Sequence, residues 1–332
     1  MLMEQMKLTF VNVGYGEAML IECPDPNCID GTFVMIIDGG SAESEEYIGS
    51  TSGRVPFSEY LAERGIRHID LMVNTHIHED HLCGLLPVVR SVMPAAYWRA
   101  LDAESLRLKP LDREAAETVS QRKFLSALND CYEMLGLLET GGCQLRSMKA
   151  GDNGQLCEGL RYTVLAPSAE RCTQLRDSLQ ALHDEEDRAE FVKKLAALDS
   201  QMNNYSLILM LDYRGTRILL PGDTNSQGFA GIRPDDLQAH IYKVGHHGQK
   251  DGANHTLLEM VRPKAVVCCA SSDRRYNSAY PQMLTMIAYT GAQLWFSDCP
   301  VVANSRIPPH RALVFTIGDD GEFSAEYIHG QE

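Results

Sequence analysis

The sequence predicts a mixed α/β fold, organised as one large domain over residues 1–332, on three observations. Short apolar runs of strand length alternate with amphipathic runs of helical period along most of the chain. Its 332 residues, 44% hydrophobic and 23% charged, suffice for one extensive core. The densest group of metal-ligating side chains falls between a strand-like run and a helical one, where the carboxyl end of a strand leaves room for a ligand.

In order, residues 7–13, 18–23 and 32–37 read as a meander of strands. Gly14 and Gly16 break the first pair into a tight turn, and a polar loop with Pro24 and Pro26 joins the second. Residues 56–64 have a helical pattern, with Pro56 near its first turn and Gly65 as its stop. A buried strand over 68–73 leads into the ligand-rich stretch 74–84 and an apolar helical run over 82–92. From about 101 to 138 the chain is charged, with Phe124, Leu125, Leu128, Tyr132 and Leu135 at helical spacing. This reads as a helical insertion packed as core or lid. Strands are expected over 144–148 and 160–165. A second helical insertion, about 168–200, carries the acidic run Asp184-Glu185-Glu186-Asp187 and reads as an amphipathic helix with a solvated face, His183 exposed within it. Further strands are expected over 206–211, 217–220, 240–244, 265–269 and 293–296, and a helix over 280–289.

The ligand-rich stretch contains His76-Ile77-His78-Glu79-Asp80-His81. Side chains alternate along a strand, so His76 and His78 leave its end on the same side and can hold one ion. Asp80 and His81, at the turn into the helix, can grip a second ion a few ångströms away. A lone His is more often a surface or hydrogen-bonded core residue. Three His and an Asp within six positions, between a strand and a helix, point to metal. Gly84 lets the backbone pass close to the site at the helix start.

Composition narrows the rest. With 30 Lys plus Arg against 45 Asp plus Glu, the formal charge of −15 disfavours nucleic acid as substrate, although two bound dications offset part of it locally. Ten cysteines lack the paired spacing of a zinc ribbon, and several, such as Cys268 and Cys269, fall in apolar strand-like runs, so reduced core thiols are expected. No apolar run approaches membrane-spanning length and the first residues show no apolar leader; the expected location is cytoplasmic, with no membrane partner.

The His-x-His-x-Asp-His pattern resembles that of the metallo-β-lactamase superfamily of metal hydrolases. Three further stretches, Val11-Asn12-Val13-Gly14-Tyr15-Gly16-Glu17-Ala18-Met19-Leu20-Ile21, Leu219-Leu220-Pro221-Gly222-Asp223 and Lys243-Val244-Gly245-His246-His247-Gly248, resemble the hydrolase domain of the ComEC/Rec2 DNA-uptake proteins and their free-standing relatives. The likeness runs in family order over nearly the whole chain. It implies a four-layer αβ/βα sandwich and two divalent metal ions, Zn or Mn. Asp223 is then the carboxylate that bridges both ions, and Asp38 lies beneath them to orient a ligand His. A helix cap for Asp223 and a turn before Gly39 for Asp38 are the plain alternatives. One of His246 and His247 completes the second ion. Adjacent side chains diverge, so His246 is favoured as ligand, leaving His247 to contact the substrate.

One departure stands out. Most of the superfamily supplies a third His to the first ion just before the strand that begins here at Ser206, whereas this chain has Met202-Asn203-Asn204-Tyr205. Asn203 or Asn204 can lend an amide oxygen, a harder and weaker ligand than imidazole, which tilts that site toward Mn. Lys250, Asp251, Asn254, Ser271, Ser272 and Asn277 lie in loops of the same rim and are candidates for phosphate contacts, against the plain reading that polar loop residues face water. The implied activity is phosphodiester hydrolysis of a nucleotide or other small phosphoester by a metal-activated water, oriented by Asp80 or Asp223, with His247 at the leaving group. Lactone, thioester or amide hydrolysis is the alternative chemistry. A binding or regulatory module that keeps its metal without turnover is the alternative class.

Overall fold

The structure is a computed structural model and describes residues 5–101, 108–225, 228–303 and 306–330. The chain opens with β1 (Met6–Val11), β2 (Ala18–Pro24) and β3 (Thr32–Gly39), then α1 (Phe57–Glu63), β4 (Leu71–Val73), the short helices α2 (Glu79–Leu82) and α3 (Leu85–Ser91), and β5 (Ala96–Arg99). The middle holds α4 (Val119–Thr140), β6 (Gln144–Ser147), β7 (Asn153–Cys157), β8 (Leu160–Ala166), α5 (Ala169–His183) and α6 (Arg188–Met202). The last part holds β9 (Ile208–Tyr213), β10 (Thr216–Leu220), α7 (Pro234–Leu237), β11 (Ile241–Lys243), α8 (His255–Val261), β12 (Ala265–Cys268), α9 (Pro281–Tyr289), β13 (Gln293–Phe296), β14 (Ala312–Ile317) and β15 (Phe323–Ile328).

These strands form two sheets, ordered β15-β14-β1-β2-β3-β4-β5-β6 and β13-β12-β11-β10-β9-β8-β7. Leu8, Phe10, Ile37 and Val73 of one sheet pack with Leu209, Leu211, Ile218 and Val267 of the other in a shared core. On the outer side of the first sheet, apolar residues of α1, α3, α4, α5 and α6 cover Leu20, Ile36 and Met72; on the outer side of the second, α8 and α9 cover Tyr242 and Val266. Helix, sheet, sheet, helix is the four-layer αβ/βα sandwich. Pairing is parallel from β3 through β6 and from β10 through β13. The carboxyl ends of the parallel strands meet at one rim, and the ligand candidates follow β4, β10 and β11 there.

Several elements depart from the sequence reading. The helix expected over 168–200 is two helices, because Asp187 leaves the helical path and its side chain caps α6 by accepting from Glu190 N at 3.0 Å. His183, expected to be exposed, is buried, and its Nδ1 accepts from Lys109 N at 3.4 Å. In the first helical stretch residues 102–107 lie outside the described part, and the helix itself runs from Val119 behind a capping box of Thr118 and Gln121. Its stripe is buried at Phe124, Leu125, Leu128 and Leu135, whereas Tyr132 is exposed. The run expected over 82–92 breaks between α2 and α3 at Gly84, which donates to Gly40 O at 2.9 Å; a Cβ there would overlap the carbonyl oxygen of Gly39. Among the described residues no helix is long and apolar enough to cross a membrane.

Candidate metal centre

Asp38, next to last in β3, has a left-handed conformation, φ 54°, that is strained for a non-glycine residue. Hydrogen bonds hold it there. Oδ1 accepts from Thr75 N at 2.8 Å and Asn74 Nδ2 at 3.0 Å, while Oδ2 accepts from Thr75 Oγ1 at 2.6 Å and from His81 Nδ1 at 2.8 Å. The buried carboxylate thus shapes the loop after β4 and fixes the His81 ring from beneath. Nε2 of His81 is left facing Asp223 Oδ2 at 3.3 Å and Asp80 Oδ2 at 3.8 Å.

His246 and His247 both have positive φ, 48° and 51°, in the turn after β11. This turn reverses the assignment favoured from sequence. His246 lies outward with Nδ1 2.9 Å from Asp251 Oδ1, and His247 lies inward with Nε2 2.9 Å from Asp223 Oδ2 and 3.0 Å from Asp80 Oδ2. The other nitrogen of His247 donates to Cys269 O at 2.8 Å. Ligand atoms of His81, Asp223, His247 and Glu17 all fall within 4.8 Å of one another, and all four residues are buried. His76 and His78 adjoin this group, with His76 Nε2 3.1 Å from His78 Nδ1 and the ring of His76 4.2 Å from that of His81.

A sequence profile described as the Metallo-beta-lactamase superfamily matches residues 11–272. The chain belongs to the metallo-β-lactamase superfamily. It is similar to ComE operon protein 3 of Bacillus subtilis (strain 168), 22% identical over 290 residues, which are 85% of this chain and 30% of that protein. The chain therefore spans less than a third of that relative. Among solved structures it is similar to a diphosphatase of the PhnP family, at 13% identity over 80% of this chain and 86% of that one with a TM-score of 0.39. It is also similar to a metallo-β-lactamase of Cronobacter sakazakii, at 10% identity over 86% and 88% with a TM-score of 0.36.

In this superfamily of metal-dependent hydrolases the bound group is a divalent cation, and the donor set fits one. Buried Nε2 atoms of His81 and His247 make no hydrogen bond of good geometry, although carboxylate oxygens crowd them. Burial alone would lower both imidazoles, but Asp223 and Asp80, joined at His81 by Asp38, hold His81 well above its ordinary pKa and raise that of His247. Asp223 and Asp80, which burial alone would raise, are held low by the same two rings. Burial, then the neighbouring His81 and His78, push His76 well below the usual value and keep it neutral. The site therefore calls for positive charge, which a cation supplies in place of protons.

Two charged partners escaped the sequence reading. Glu17, behind the β1–β2 turn, meets Lys243, whose wholly buried Nζ also donates to Gly222 O at 2.8 Å and lies 3.3 Å from Asp223 Oδ1. A signal existed: Lys243 is a lone charge in an apolar strand run and Glu17 stands directly before another, and two buried charges of opposite sign must be paired. Asp199, near the end of α6, was also missed; its Oδ1 lies 3.1 Å from His78 Nε2 and its Oδ2 accepts from Ser120 Oγ at 2.9 Å.

A cleft of about 400 Å³ opens over these residues, lined among others by Tyr15, Lys123, Asn203, Gln249 and Tyr276. Asn203 contributes a buried Oδ1 without a hydrogen-bond partner; Asn204 also has a buried Oδ1 without one but does not line the cleft. Lys123, the only Lys or Arg among the described lining residues, is tied to Glu43 at 2.9 Å and Glu79 at 3.3 Å. Four of the six rim candidates for phosphate contact are otherwise engaged: Asp251 faces His246 Nδ1, Asn254 caps α8, Ser272 Oγ accepts from Arg54, and Ser271 Oγ accepts from Arg275 N.

Proposed function

We propose that this superfamily hydrolase is a phosphodiesterase acting on a nucleotide or another small phosphodiester with two divalent ions, Zn or Mn. His76, His78 and Asp223 would hold one, and Asp80, His81, Asp223 and His247 the other. One observation carries the reading: His81, His247 and His76 each turn one nitrogen inward because the other is occupied. Asp38 takes His81 Nδ1, Cys269 O takes His247 Nδ1, and Thr75 Oγ1, whose own proton goes to Asp38, accepts from His76 Nδ1 at 3.1 Å. Bound there, divalent ions would lower the pKa of a water from about 16 toward 7 and polarise a phosphoryl oxygen. Asp80, its side chain 16% exposed and lining the cleft, would accept a hydrogen bond from that water and orient it.

The cleft supports a small substrate. Glu79, Asp80, Asp199 and Asp223 line it against one paired lysine, so the acidic lining disfavours a long polyanion. Seven of the ten cysteines are buried thiols, in keeping with a reducing, cytoplasmic setting. The test is metal analysis of purified protein, then turnover of bis-p-nitrophenyl phosphate with Mn²⁺ and with Zn²⁺, beside a lactone and single-stranded DNA, with Asp80→Ala as control. Uptake of two ions and preference for the small phosphodiester are expected. Preference for the lactone would overturn the substrate class. Full metal uptake without turnover would instead support the binding-module reading, which the lack of a third imidazole beside His76 and His78 favours.

A further inference from the structure

The geometry points to Asp199 as a positioning residue for the first ion, supplied by the second helical stretch and locking His78 with its Nδ1 free to coordinate. The inference rests on the metal reading of the cluster. A carboxylate can only accept, so the 3.1 Å contact with Asp199 Oδ1 places the proton of His78 on Nε2 and leaves the lone pair on Nδ1. That lone pair faces His76 Nε2, also bare, at 3.1 Å, an arrangement that is repulsive unless a cation or a shared proton lies between the rings. Asp199 is itself held: Ser120 Oγ, from the first turn of α4, donates to its other oxygen at 2.9 Å, and Phe124 of the same helix lies edge-on to the His78 ring at 5.6 Å between centroids. Both helical stretches therefore converge on one imidazole. They do so at the end of the site where Asn203 or Asn204 stands in for the third His expected from the family resemblance, so the fixed orientation of His78 offsets a poorer ligand set. The side chain of Asp199 is 21% exposed, at the edge of the cleft.

The test uses the full chain. Nitrogen-detected NMR of the metal-free protein reads the tautomer of His78, and titration with Co²⁺ reads the affinity of each ion. Asp199→Ala is expected to release the His78 tautomer and to weaken the first ion about ten- to a hundredfold while the second is unchanged. Asp199→Asn, which keeps an acceptor oxygen, should restore the tautomer and recover part of the affinity. Ser120→Ala should leave the tautomer in place. An unchanged tautomer and unchanged affinity in Asp199→Ala overturn the assignment, as does a Ser120→Ala variant that reproduces the whole loss. Wild-type protein that binds no Co²⁺ at all sinks the metal reading instead, and the tautomer result then judges the Asp199–His78 lock alone.

Discussion

Lys243 lies with its ammonium 3.3 Å from Asp223 Oδ1, wholly enclosed and in contact with Glu17. Oδ1 of the proposed bridging carboxylate is thus shared with a protein cation while Oδ2 faces His81 and His247. Lys243→Met leaves Glu17 charged and unpaired in the core and should cost about 3–5 kcal/mol in urea unfolding. Adding Glu17→Gln should recover part of that loss. Equal stability of the single variant and wild type would show that the pair is not needed as a pair.

His246 and His247 separate by role. Weakening of the second ion by at least about a hundredfold is expected for His247→Ala, and little change for His246→Ala, since the outer ring turns its Nδ1 to Asp251. Direct ion titration of the two variants decides it, and the reverse ranking would restore the assignment favoured from sequence.

Without metal, stability should depend on pH in a way the ion abolishes. His81 and His247 have raised folded values, so their contribution is complete below about pH 6.5 and is lost as pH rises through those values. Asp80 and Asp223 are held low, so theirs is present above about pH 4 and is lost as pH falls through their folded values. The Tm of chelator-treated protein should therefore decline on the alkaline side, and the gain from saturating Mn²⁺ should grow from about pH 6 to 8 as fewer protons compete. A gain that does not vary with pH would mean the ion binds elsewhere.

Tyr276 reaches the cleft from a strained position, φ 54°, is 53% exposed, and packs its ring 5.0 Å from that of Tyr15. On the phosphodiesterase reading it offers a stacking face for a nucleobase. Tyr276→Ala should raise KM about fivefold or more for a nucleoside p-nitrophenyl ester and leave that of a methyl ester unchanged. An equal rise for both would assign the residue to the fold.

What the sequence disclosed about the site follows from how locally it is written. His76, His78, Asp80 and His81 stand within one turn of chain, so spacing alone groups them. Asp223 and Asp38 needed the resemblance, since an acid before or after a glycine turn has an ordinary use. The choice between His246 and His247 depended on two left-handed residues in succession, which side-chain chemistry does not announce. Asp199 was hidden because the docking of a helix over a distant loop leaves no period in the sequence. β15 went unread for another reason: its residues alternate between half-buried and exposed and never form an apolar run.

The register of the first sheet sets an order of assembly. β1 is flanked by β2 on one side and by β14 on the other, with Met6 opposite Ile317. As the ribosome extends the chain, one edge of β1 stays bare until some three hundred further residues have emerged, so the nascent polypeptide must shield an unsatisfied strand until then. Loss of the β14–β15 hairpin would reopen that edge, and the expected outcome is self-association.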